Sequence, residues 1–141
     1  MQNELELIID EYGTKRWYLN GELHREDGPA VEYANGQKEW FLNDLLHRID
    51  GPAVEYANGD KEWYLNDKLH RTDGPAVERS NGDKFWYLYN KLHREDGPAI
   101  EYSDGNKFWR LNGIRYTFEE WLELTPLSEK EKVKLRLQYA K

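Results

Sequence analysis

Short runs of alternating polar and aromatic or aliphatic residues follow one another along this chain, separated by glycine, proline, asparagine and aspartate. Lys61-Glu-Trp-Tyr-Leu-Asn66 is one such run and Pro52-Ala-Val-Glu-Tyr56 another. Period-two alternation rich in aromatic and β-branched residues predicts strands, and a proline suits the first position of the second run. The pair of runs recurs every 23 residues, marked without slippage by Trp17, Trp40, Trp63, Trp86 and Trp109 and by Gly13, Gly36, Gly59, Gly82 and Gly105. A fixed period of this length predicts stacked supersecondary units, each touching only its neighbours.

The turns are equally explicit. Ala34-Asn-Gly36, Ala57-Asn-Gly59, Ser80-Asn-Gly82 and Ser103-Asp-Gly105 carry pairs that favour positive φ, so a hairpin is expected at each. The return connection runs through Leu-His-Arg-x-Asp-Gly-Pro, where the Asp predicts an Asx-turn and the Gly-Pro step interrupts the ladder. The fold expected is mainly β: an elongated, single-layer antiparallel β-meander of about ten short strands in five repeats.

The two ends differ from the middle. Residues 1–14 resemble a worn half-repeat, with Leu7-Ile-Ile9 where later copies have Ala-Val-Glu, and are read as an N-terminal capping strand. Repeats occupy 15–116, and residues 117–141 form a C-terminal helical cap. Thr117-Phe-Glu-Glu120 and Ser128-Glu-Lys-Glu131 both fit the capping box, a hydroxyl at the N-cap with Glu three residues on. They predict helices over 118–124 and 129–140, the first closing the last strand's edge. On the second, Val133 and Leu137 share one face while Leu135 and Tyr139 lie opposite, so it has a contact to make with its own sheet or with a partner.

Comparing the copies with one another separates scaffold from surface. The constant columns are the five Trp, Ala30/Ala53/Ala76/Ala99, Val31/Val54/Val77/Ile100 and the Asp-Gly-Pro corner. Alternation places Trp40 and Leu42 on one face, expected to be the buried one and to include Val31 and Tyr33. Arg16, Glu39, Glu62, Phe85 and Phe108 form a variable column, and Tyr18, Phe41, Tyr64, Tyr87 and Arg110 a second. With Tyr89 in place of an Asn and Arg79 in place of a Tyr, the later repeats depart most from the rest. Phe85, Tyr87, Tyr89, Phe108 and Arg110, with Leu135 and Tyr139 of the last helix, are therefore the candidate partner-binding residues, since interface hot spots favour aromatics and arginine. The competing reading is that the C-terminal helices pack on these rings.

The remaining chemistry is tempting but repeated. His24 with Asp27, His47 with Asp50, His70 with Asp73 and His93 with Asp96 could be general-base pairs or metal ligands. Catalysis needs one convergent constellation, and no Ser or Cys recurs beside these pairs. Equivalent residues two strands apart stand about 9–10 Å from one another, too far for adjacent histidines to share one zinc. A structural His, bonded to the corner backbone of its own or the next repeat, is expected, with no catalytic residue, metal or cofactor. Glu32, Glu55, Glu78 and Glu101 form another column, answered by Arg25, Arg48, Arg71 and Arg94 or else presenting an acidic strip.

Composition narrows the partners. The net charge is −7, four of it within residues 1–14, and no basic patch is evident, which argues against direct nucleic-acid binding. The absence of cysteine rules out disulfides and thiolate metal sites and suggests a cytoplasmic protein. No apolar run approaches the roughly 18 residues of a membrane span, and Met1-Gln-Asn-Glu lacks the basic start of a signal peptide. Six Trp and ten Tyr against one Met indicate burial by large amphipathic rings, which suits a thin sheet.

In its period and in Asn58-Gly-Asp-Lys-Glu-Trp63, the repeat over 13–116 resembles the MORN family in its variant form. It departs from the usual bare-glycine corner by having His-Arg-x-Asp-Gly-Pro-Ala, and this version is similar to repeats in proteins of phages, bacteria and large DNA viruses. The resemblance implies a non-catalytic, protein-binding sheet, here a phage- or virus-encoded inhibitor of a host defence protein acting in the host cytoplasm. Alternatives are a small-ligand binder that sequesters a nucleotide-like molecule, and an antitoxin-like or nucleic-acid-mimicking inhibitor.

Overall fold

The computed structural model describes residues 4–140. The chain opens with β1 (Leu5–Ile9), β2 (Lys15–Leu19) and β3 (Glu22–Leu23). Three copies of a four-strand unit follow. The first holds β4 (Val31–Glu32), β5 (Lys38–Glu39), β6 (Phe41–Leu42) and β7 (Leu45–Leu46); the second β8 (Val54–Glu55), β9 (Lys61–Glu62), β10 (Tyr64–Leu65) and β11 (Lys68–Leu69). The third holds β12 (Val77–Glu78), β13 (Lys84–Phe85), β14 (Tyr87–Leu88) and β15 (Lys91–Leu92), after which come β16 (Ile100–Glu101), β17 (Lys107–Leu111), β18 (Ile114–Tyr116) and the helices α1 (Phe118–Leu124) and α2 (Glu129–Tyr139).

One antiparallel sheet of 12 strands runs through the molecule in the order β1-β2-β4-β5-β8-β9-β12-β13-β16-β17-β18, with β3 beside β2. The Asn-Gly hairpins form where expected. In the first of them Gly36 N–H donates to Tyr33 O at 3.0 Å and Asn35 Oδ1 accepts from Gln37 N–H at 2.9 Å. Only the glycine takes a positive φ, 98° at Gly36.

Each middle repeat has four short strands where the alternation predicts two, so the described strands number eighteen. The extra pair comes from a second, tighter hairpin. Phe41 pairs Leu46 and Leu42 pairs Leu45 around Asn43-Asp44, both of which sit at positive φ, 50° and 66°. Asn and Asp tolerate that region, so the short hairpin forms without glycine. Trp40 is the hand-over residue: its N–H donates to Ala53 O at 2.8 Å, while its carbonyl accepts from His47 N–H at 3.0 Å.

The register also corrects the expected faces. Val31 lies opposite Arg16 and Glu39, and this pattern continues through Val54, Glu62, Val77, Phe85, Ile100 and Phe108 in one row. Directly opposed residues share a face, so valine lies with the variable column and not with tryptophan. On the tryptophan face Lys15, Glu32, Lys38, Glu55, Lys61, Glu78, Lys84, Glu101 and Lys107 oppose one another in sequence. Each column Glu is thus flanked by two lysines, and the row alternates in sign instead of forming an acidic strip. Opposite charges in direct register contribute about 0.2–1 kcal/mol each and resist a one-residue slip of the pairing.

The core is thin. Ala30, Ala53, Ala76 and Ala99 are fully buried, with Val31, Val54, Val77 and Ile100 beside them. Of the five repeat tryptophans only Trp109 is buried, because α1 and α2 lie on it. Trp121 and Leu122 form a cluster with Trp109, joined by Tyr116, Phe118, Leu127, Leu135 and Tyr139. Both predicted capping boxes are present, at Thr117 and Ser128. Trp121 Nε1 donates to Arg94 O at 2.9 Å and the Thr125 hydroxyl to Glu95 O, which fastens the cap to the last corner. No helix is long and apolar enough to cross a membrane among the described residues.

Candidate interaction face

The corner residues build the repeat itself. Arg48 lies 3.9 Å over the Trp40 ring, donates through Nε to Asp50 at 3.1 Å and through Nη1 to Pro52 O and Glu55, both at 3.0 Å. Arg25, Arg71 and Arg94 do the same on Trp17, Trp63 and Trp86. The corner Asp therefore accepts from arginine and does not form the Asx-turn expected of it. The adjacent glycine is needed for space, since a Cβ at Gly51 would stand 2.9 Å from the Arg48 guanidinium carbon.

Histidine joins one repeat to the next. His24 Nδ1 accepts from Asn43 N–H at 3.1 Å, and His47, His70 and His93 accept from Asn66, Tyr89 and Asn112. The bond goes to the following repeat in every copy. Asp44 Oδ1 adds a second stitch by accepting from Leu23 N–H at 2.6 Å, repeated by Asp67 and Asn90. With Nδ1 engaged in this way and Asp27, Asp50, Asp73 and Asp96 held by arginine, the His and Asp of a corner are not a hydrogen-bonded pair. No group of three or more His, Asp or Glu side chains comes together to ligate a metal among the described residues.

The candidate partner residues divide into three places. Phe85 and Phe108 flank Ile100 on the valine face, and Tyr102 meets both edge-on at 5.8 Å. Tyr87 continues the same face, its phenol pushed up by burial and pulled back by Arg110 and Arg79. Arg110 donates to Gly113 O at 3.2 Å, and its Nε is buried without a hydrogen-bond partner. Directly opposite stands Arg115, whose guanidinium lies 4.7 Å over Phe108. Neither arginine makes a salt bridge among the described residues.

Tyr89 stands apart, as the first residue of the tight turn after β14. It is 63% exposed, holds a φ of 45°, and sets its ring 4.1 Å from His70. Leu135 and Tyr139 belong to neither place: half-buried, they pack on Trp109 within the helical cap, the contact with the chain's own sheet that the sequence left open. The cluster under the helices contains none of Phe85, Tyr87 or Phe108. The cap covers the tryptophan face and leaves the aromatic end of the valine face open.

A second feature of that face was not singled out from the sequence. Glu62 is almost buried, and Tyr56 and Tyr64 both donate their hydroxyls to its Oε1 at 3.1 Å, with Arg79 Nη1 at 3.5 Å from the other oxygen. Burial, then the Glu62 charge, pushes the Tyr56 phenol up to about 12 and raises Tyr64 as well. The same Tyr-to-Glu bond joins Tyr33 and Glu39. The signal was the shared column of Glu39 and Glu62 six residues after a Tyr.

The fold and these contacts define a tandem-repeat protein built of antiparallel β-hairpins, with one face acidic toward its middle and aromatic and cationic toward its C-terminal end. No protein-family model and no curated protein matches the chain.

Proposed function

We propose that this chain is a non-catalytic, MORN-like repeat protein that binds another protein through the open end of its valine face. The observation that carries this is the pair Arg110 and Arg115, opposed in register beside Phe108 and without an acid to answer them among the described residues. Like charges directly opposite one another destabilise a sheet. A partner carboxylate inserted between them would relieve that repulsion, while Phe85, Tyr87 and Phe108 supply the apolar area an interface core needs. The resemblance of the corner motif adds the finer reading: a phage- or virus-encoded inhibitor that occupies a host defence protein in the cytoplasm.

The test is affinity capture from host lysate followed by mass spectrometry, comparing the natural chain with Tyr87→Ala and Arg110→Glu. A stoichiometric partner that both variants lose, while their circular dichroism is unchanged, supports the proposal. Retention of that partner by both variants overturns it. A second reading, a binder of nucleotide-like molecules, draws on the guanidinium of Arg115 over Phe108, an arrangement that also suits a base and a phosphate. A melting-temperature rise with nucleotides and no protein captured would decide for that reading.

A further inference from the structure

The two ends of the sheet are treated differently. Helices cover the last strands, whereas β1 is an edge with all five residues exposed, among them Leu5, Leu7, Ile8 and Ile9. It carries no proline, lysine or bulge, devices that keep a sheet edge from pairing, and its single charge is Glu6.

The direction of its free hydrogen-bonding groups follows from β2. Trp17 N–H donates to Ala30 O and Trp17 O accepts from His24 N–H, so both groups of Trp17 point away from β1. Leu7 is paired with Trp17, which makes this a pair that exchanges no hydrogen bonds, and the N–H and C=O of Leu7 point outward. By the same alternation Leu5 and Ile9 point outward, and Glu6 and Ile8 are bonded to β2.

We infer that β1 is a homodimer edge, pairing antiparallel with β1 of a second copy about a two-fold axis at Leu7. In that register Leu7 meets Leu7 of the second copy as a hydrogen-bonded pair, and Leu5 meets Ile9. The tryptophan face then gains the row Trp17, Leu7, Leu7 of the second copy and Trp17 of the second copy, apolar throughout. On the valine face Glu6 of the second copy falls opposite Ile8, in one row with Arg16. Glu6 of one copy is thereby kept off Glu6 of the other and faces the row of an arginine, while Glu4 falls opposite Asp10 of the second copy. A two-fold axis requires this kind of self-complementarity, and β1 has it in backbone, apolar side chains and charge. Asp10, the next acid, is already neutralised by Arg16 at 3.0 Å. The product is one sheet running through both copies, with each cap at an outer end.

The chain contains no cysteine, which makes the register directly testable. Hydrogen-bonded antiparallel partners have Cα atoms about 5.5 Å apart, inside the roughly 4.4–6.8 Å that a disulfide spans. Leu7→Cys should therefore cross-link to a covalent dimer under mild oxidation. Leu5→Cys should not, because its own copy lies about 13–14 Å away along the strand at ~3.4 Å per residue. Leu5→Cys mixed with Ile9→Cys should restore the cross-link. Sedimentation equilibrium of the natural chain should give twice the mass of 16.9 kDa at high concentration. Leu7→Pro, which removes only an outward N–H, should return it to monomer with its circular dichroism intact. A natural chain that stays monomeric at all concentrations, or equal cross-linking of Leu7→Cys and Leu5→Cys, overturns the inference.

Discussion

Two residues show how tightly the repeat constrains single positions. Gly51 has an ordinary φ and would accept a side chain on backbone grounds, but Arg48 occupies the space where a Cβ would go. Gly51→Ala should displace the guanidinium from Trp40 and from its carboxylates, costing about 1–3 kcal/mol, the range for overpacking, read as a lower urea midpoint. Tyr89 presents the opposite case, a side chain kept where the backbone disfavours it. Four equivalent positions, Asn20, Asn43, Asn66 and Asn112, hold the left-handed conformation with asparagine. Tyr89→Asn should raise stability by about 0.5–1 kcal/mol, the relief of that conformation less the lost ring contact with His70, seen as a higher melting temperature. His70 adds a pH dependence. Burial lowers its pKa from the usual 6.5, and its Nδ1 must stay unprotonated to accept from Tyr89 N–H. The folded state thus binds the proton less readily than the unfolded chain. Its contribution is whole above pH 6.5 and is lost as pH falls through the lower folded value. Urea midpoints should accordingly fall from pH 7 toward pH 5 in the natural chain and fall less in His70→Gln.

At the scale of elements, the helical cap is a lid on one tryptophan. Trp121 is fully buried, bonds Arg94 O, and packs its ring 4.6 Å from that of Trp109 at a tilt of 49°. Trp121→Ala should cost about 3–5 kcal/mol, in the range of core aromatic truncations, and should make the helices cleavable by protease before the sheet unfolds. The helices themselves were legible from the chain, because a capping box is a local signal that names its own boundary residues. The Asn-Gly hairpins were legible for the same reason. The tight hairpin at Asn43-Asp44 was not, because neither residue is glycine. The clue lay in the outer copies, where Asn20-Gly21 and Asn112-Gly113 carry the usual pair. The faces were misread because alternation within a run says which residues share a side of that run and nothing about how two runs align. That alignment is set by Val31 opposing Glu39, a contact between runs. Of the candidate residues, Phe85, Tyr87, Phe108 and Arg110 stood out by their departure from the column, and the register sets Phe85 and Phe108 on one face. The packing of Leu135 and Tyr139 on Trp109 was not legible, because two apolar stripes on one helix do not say which stripe the sheet takes.

For the whole molecule, stability is distributed along a line, since each repeat is held by its neighbours and no central core joins distant parts. The histidine stitches have one direction, while those of Asp44, Asp67 and Asn90 run back to the preceding repeat. Every histidine reaches forward, and the turn at Asn43 is completed by His24, the turn at Asn66 by His47 and the turn at Tyr89 by His70. The tight turn of a repeat is therefore finished by the repeat before it, and the strand that follows the turn gains its bond from the repeat after it. During synthesis the N-terminal units leave the ribosome first, so each new unit emerges beside the one whose histidine finishes its turn. Ribosome-bound chains stalled with Gly105 just outside the exit tunnel should already shield residues 15–80 from protease, while the equivalent purified fragment lacking the first repeat should not. The order in which the chain is made and the order in which its histidines point are the same.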